Sequence, residues 1–217
     1  MKLEITIPTK LNELKLFQYQ KFLAISKDNE DEEFLQQKMI QIFCGIELKD
    51  VLNIKYKDIN DITNSLSNMF KENHTFINRF KLDGIEFGFI PNLDNISFGE
   101  YTDLDTYITD WNNMHKAMAV LYRPIIKKGI NNTYKISEYK GTEQYAEIMK
   151  NITLDVCLGA VVFFYNLGNE LLKATIHYLE NNQEVRNILQ QQTSELNGDG
   201  ITQSMLSLKE ILLDLTK

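Results

Sequence analysis

The chain is poor in several things, and each shortage narrows the reading. Three prolines in 217 residues leave room for long uninterrupted helices. Two cysteines, Cys44 and Cys157, stand far apart among apolar neighbours. They read as buried free thiols, because a disulfide framework needs more cysteines in a shorter secreted chain. Positive charge is also short: 23 Lys and Arg face 30 Asp and Glu, a formal net charge of −7. That balance disfavours broad nucleic-acid binding, which needs a basic surface to meet phosphates.

Long hydrophobic runs are missing too. The longest apolar stretch, 156–167, contains Gly159 and Asn166 and falls short of the ~20 residues a membrane-spanning helix needs. The opening MKLEITIPTK has no apolar core of a signal peptide, so the expectation is a protein of the cytoplasm in which it is made, with no membrane partner. Strong catalytic signatures are absent as well: no Walker loop, G-x-G-x-x-G, G-x-S-x-G, H-E-x-x-H or paired C-x-x-C.

What is present is 43% hydrophobic residues with 12 Phe and 10 Tyr, enough to bury a substantial core. Residues 2–7 alternate, with Leu3, Ile5 and Ile7 on one face, and predict a short strand stopped by Pro8. Helices are predicted from about Leu16, and from the acidic run at 28–33 to a glycine stop at Gly45. Carboxylates in a first turn favourably face the positive end of the helix dipole. A further turn near 51–54 and a helix over 59–70 follow by apolar spacing.

The most structured stretch is 80–125, which holds the only tryptophan and two of the prolines. Asp83-Gly84 between alternating runs predicts a hairpin over 78–90 with a two-residue type I′ turn. Leu82 is then set against Ile85, and Phe80 against Phe87. Its other face carries Arg79, Lys81 and Glu86. Ser97 with Glu100 forms the S-x-x-E pattern of a capping box. Asp110 is expected to start a second helix with the stripe Trp111, Met114, His115, Met118, Leu121, Tyr122, ended by Pro124. A polar loop over 127–133, a third short strand over 134–139 and a helix over 142–150 complete the middle.

A long helix over 153–178, apolar on nearly every side in its first half, is expected to be the one the domain is built around. The predicted class is therefore mainly α with a small β-hairpin or short antiparallel sheet, α+β. One domain is expected over 1–180, with peripheral C-terminal helices over 181–217 and a linker near 197–200. Met205, Leu208, Leu212 and Leu215 in the last helix sit close to heptad spacing and are candidates for partner contact, as are Arg79, Lys81, Glu86 and Arg123.

Glu100, Asp103, Asp105, Asp110 and His115 form the nearest approach to a reactive constellation. Carboxylates and a histidine can hold a divalent metal or transfer protons. The spacing is against it: Asp103 and Asp105 point to different helix faces, and His115 lies in an apolar stripe. No catalytic, metal or cofactor site is expected.

Four phrases stand out: ITIPTKLNELKLFQYQKFL, EFGFIPNLDNISFGEYTDLDTY, MHKAMAVLYRPI and YKISEYKGT. In these the chain resembles a protein of tailed bacteriophages, including crAss-like phages, over roughly residues 3–175. The resemblance implies a small virion or assembly protein of the neck or tail region, non-enzymatic, whose partners are other phage virion or tail proteins or copies of itself. The opening is also similar to tail-assembly and baseplate-hub chaperones, in which a short strand precedes a helical body. The central hairpin and the long helix depart from those chaperones.

Overall fold

The computed structural model describes residues 5–181. Two units divide the chain, Met1–Val161 and Val162–Lys217. The first holds all the described strands and most of the helices. Its helices are α1 (Leu16–Ser26), α2 (Glu32–Phe43), α3 (Leu48–Val51), α4 (Tyr56–Phe70), α5 (Phe98–Tyr107), α6 (Met114–Leu121) and α7 (Ala146–Met149). Its strands are β1 (Arg79–Leu82), β2 (Ile85–Phe89), β3 (Tyr122–Lys128) and β4 (Tyr134–Ile136). They form one antiparallel sheet in the order β1-β2-β3-β4. The last described helix, α8 (Leu154–Asn181), begins in this unit. The fold is thus mainly helical with a small antiparallel sheet.

Local rules account for most helix ends. Asp31 caps α2 by accepting from the Phe34 N–H, with Glu32 and Glu33 in the first turn. Gly45 follows α2 at φ +67°, the left-handed conformation that glycine adopts at little cost. Ser97 and Glu100 make the full reciprocal capping box at α5. The hairpin turn is as expected: Asp83 and Gly84 both take positive φ, and Phe80 pairs Phe87 while Leu82 pairs Ile85.

Four expectations are corrected. Of the strand expected over 2–7, residues 5–7 form none, and residues 2–4 lie outside the described residues. The helix expected to run to Pro124 ends at Leu121, and Tyr122 opens β3. The polar loop is shorter than expected, since Lys127 and Lys128 belong to β3, and the third short strand, expected over 134–139, is β4 over Tyr134–Ile136, paired with β3. Finally, α8 is long but is not the apolar axis of the fold. Leu154, Val156, Cys157 and Ala160 are buried, whereas Tyr165, Asn166 and Glu170 are exposed. Among the described residues no helix is long and apolar enough to cross a membrane. The helix buried almost all round is α6, where every residue except Lys116 is buried.

A proline inside β3 needs an explanation, because it cannot donate to a ladder. The Pro124 carbonyl accepts from the Ser137 N–H at 2.9 Å, so its missing N–H points to the same side, just past the end of β4. The one bond it forgoes, to the Ser137 carbonyl, lies beyond the last paired residue of β4.

The inner face of the sheet is aromatic. Phe80, Phe87, Phe89 and Tyr122 touch edge-on or stacked, and Phe76 and Tyr145 add to the cluster. The Tyr122 hydroxyl donates to the Ile77 carbonyl at 2.7 Å, so its polar end is satisfied. A second aromatic group, Tyr19, Phe22, Phe43, Phe70 and Trp111, joins α1, α2 and α4 to the turn before α6. Two close approaches depend on glycine. A Cβ at Gly159 of α8 would lie 2.4 Å from the Thr75 carbonyl oxygen, and one at Gly88 would lie 2.4 Å from the Tyr134 ring.

Candidate functional site

Alternation along β3 sends Tyr122 and Pro124 to the inner face and Arg123 and Ile125 to the outer one. Arg123 would stand in solvent there, but the N-terminus of α5 and residues 136–139 cover it. Its guanidinium meets Glu100, Nη2 to Oε1 at 2.5 Å, and both residues are only 6% exposed. Glu100 also accepts from the Ser97 N–H at 2.7 Å through its capping role. Burial pushes its carboxyl up, but the Ser97 hydrogen bonds and the Arg123 charge outweigh this and hold it below the usual carboxylate range.

Beside the pair, Tyr139 lies near the guanidinium, 5.5 Å from ring centre to Cζ, and donates its hydroxyl to Asp103. Burial, then that hydrogen bond to Asp103, raises the Tyr139 pKa. A cleft of about 500 Å³ opens here, with Ile90, Asn92, Ser97, Ile136, Ser137 and Glu138 in its walls around Arg123 and Glu100. Two buried side-chain atoms of its lining residues, Arg123 Nε and Ser137 Oγ, have no hydrogen-bond partner among the described residues.

The acidic constellation does not converge. Glu100 and Asp103 are engaged as above, Asp105 is exposed, and Asp110 caps the turn before α6 by accepting from the Asn112 N–H and Asn113 Nδ2. His115 is buried, with Nδ1 3.1 Å from Gln20 Nε2. Burial, followed by the nearby Lys150, lowers its pKa. Among the described residues no group of three His, Cys, Asp or Glu could hold a metal. Both cysteines are free; Cys44 is half-buried, and burial pushes its thiol up to about 11.

The expected partner-contact residues are dispersed. Arg79 lies over the Tyr134 ring at 5.6 Å, on the sheet's outer face. Tyr134 reaches across Gly88 and donates to the Phe89 carbonyl at 2.9 Å. Lys81 is exposed, and Glu86 pairs with Lys128 at 2.5 Å. Arg123 is not presented at a helix end but is buried against Glu100. Met205, Leu208, Leu212, Leu215 and the linker near 197–200 lie outside the described residues. The Arg123–Glu100 pair spans 23 positions and has no sequence signal; the only local hint was that both residues stand at element ends.

No family model, no curated protein and no solved structure matches this chain.

Proposed function

We propose that the chain is a non-enzymatic structural or assembly protein of a tailed bacteriophage, of the neck or tail region. It works by binding other virion proteins or further copies of itself. It acts in the host cytoplasm during assembly and stays in the particle. The phage assignment rests on the four phrases of the sequence. One observation carries the protein-contact reading: the sheet ends in exposed apolar side chains. Ile85 is 41% exposed and Ile126 is 64% exposed. Each lies two residues beyond the last β2–β3 pair, Phe87–Pro124, at the same end of the sheet. Ile130 in the following turn is 85% exposed. Lys81, Lys127, Lys128 and Glu86 surround this end with charge. An apolar centre with a charged rim suits a protein interface.

A second feature supports a role without chemistry. The side chains that could do it are engaged in holding the fold, as Glu100, Asp103, Asp110 and His115 illustrate. The acidic charge makes nucleic acid a poor partner.

Mass spectrometry of purified particles of the encoding phage tests the proposal. A structural subunit is present at a fixed stoichiometry. A chain found bound to tail proteins in infected cells but absent from particles is an assembly chaperone instead. Absence from both refutes the reading.

A further inference from the structure

The described fold leaves a second apolar surface uncovered, and its charge is opposite to that of the sheet end. It is the solvent face of α5. Phe98, Tyr101, Thr102 and Asp105 recur at three- and four-residue steps and so share one side of the helix. All four are exposed, Phe98 at 84% and Tyr101 at 55%. Asp94, just before the helix, is exposed as well, and no Lys or Arg occurs between Asn92 and His115. The result is an aromatic pair on an acidic face.

The sheet end is its counterpart. Ile85, Ile126 and Ile130 supply an apolar centre there, and lysines surround it. Of the two acids in the hairpin, Asp83 and Glu86, the second is taken by Lys128. Lys81, Lys127 and Lys135 have no ion-pair partner among the described residues. Lys127 and Lys135 are moreover cross-strand partners in the β3–β4 register, and both are exposed. Like charges set directly opposite each other destabilise a sheet. Their placement has a use if that end receives a negatively charged surface.

Within one chain the two surfaces do not meet, since both stand open. Nor is α5 free to turn. Its start is held by the Ser97 capping box, by Glu100 against Arg123 and by the Tyr139 hydroxyl on Asp103. A second copy supplies each surface with the complement it lacks.

We propose that the chain associates head to tail with copies of itself. The α5 face of one copy, anchored by Phe98 and Tyr101, docks on the sheet end of the next, with Asp94 and Asp105 toward the lysines. Aromatic anchors inside a charged rim are the usual make-up of a specific contact. Because the two patches differ, the contact is heterologous, and its repetition closes a ring or grows a filament. The inference rests on the reading of the sheet end as a protein-contact surface and names its partner.

Two variants of the full chain separate the patches. Phe98→Ser/Asp105→Lys changes the helix face, and Lys127→Glu/Lys135→Glu changes the sheet end while keeping a like-charged pair across the strands. Both should retain the wild-type circular dichroism spectrum, because every altered side chain is exposed. In sedimentation velocity the wild type self-associates, and each variant alone should do so at least about tenfold more weakly, since like charges are brought together. An equimolar mixture should regain a complex at the wild-type dissociation constant, because each variant retains the patch that the other lacks. A patch that pairs with itself gives no such rescue. Three results would overturn the inference: a wild-type chain that stays monomeric, a helix-face variant that associates as wild type does, or a mixture that gains nothing over its components. Ile85→Lys/Ile126→Lys tells this failure from that of the protein-contact reading. Association lost there but kept in the helix-face variant sinks the head-to-tail contact alone, and association kept in all three variants sinks both.

Discussion

Glu100→Gln is the sharpest probe of how the unit is held together. Glutamine has nearly the same shape, and it can still accept from the Ser97 N–H, so the capping box survives. What disappears is the charge facing Arg123. Both side chains are more than nine-tenths buried, so water cannot replace the lost partner. Breaking a buried pair in this way costs about 3–5 kcal/mol, because an uncompensated charge stays in the interior. For a unit of this size that is a fall of about 6–20 °C in Tm.

Arg123→Met should cost a similar amount near neutral pH but recover partly in acid, because the Glu100 left behind can take a proton and guanidinium cannot. Glu100→Met with Arg123→Met removes both charges. It should cost less than the sum of the two singles by at least about 2 kcal/mol, since an apolar pair leaves nothing unpaired. Urea unfolding followed by circular dichroism measures five proteins: wild type, Glu100→Gln, the singles Glu100→Met and Arg123→Met against which the double is compared, and the double itself. A loss below about 1 kcal/mol for Glu100→Gln, or strict additivity in the double variant, refutes the reasoning.

Other variants test other parts of the fold. Gly159→Ala should destabilise by up to about 2 kcal/mol. Overpacking against the Thr75 backbone, ~1–3 kcal/mol, outweighs the ~1 kcal/mol gain in helix propensity, whereas a free helix would be stabilised. Gly88→Val should displace the Tyr134 ring and weaken its hydrogen bond to Phe89, seen as faster amide exchange along β4. His115 contributes stability with a definite sign. Burial lowers its folded pKa, so its full contribution is present above the unfolded value of about 6.5 and is lost as pH falls toward the folded one. The urea midpoint of wild type should drop between pH 7 and 5, and His115→Gln should flatten that slope.

The parts of this fold that sequence revealed are those decided within a few residues. Asp83-Gly84 needs positive φ at both positions, and S-x-x-E closes on itself, so neither depends on distant partners. Strand β3 is different. Its residues, YRPIIKK, look locally like a helix end followed by a basic loop, and only the waiting edge of β2 makes them a strand. The same holds for the N-terminal segment. Residues 5–7 alternate as a strand should, but no strand lies beside them among the described residues, and the chain is pinned instead where Lys15 bridges Thr153. The misjudged centre has one cause too. The start of α8 is more apolar in sequence than α6, but burial follows position, and α6 lies between α5 and α7 with the sheet continuing from its end. At the site, Ser97 and Glu100 were legible as a cap. Their meeting with Arg123 was not, because it requires the helix start and the strand start to be brought together by the fold.

Sedimentation velocity of the full chain, alone and mixed with the virion proteins of the encoding phage, tests the central claim most directly. The account predicts a defined oligomer or a complex with a virion component. That species should dissociate in Ile85→Lys/Ile126→Lys, while the variant keeps the wild-type circular dichroism spectrum. A wild-type chain that stays strictly monomeric and binds no virion component, or a folded double variant that associates as wild type does, contradicts it.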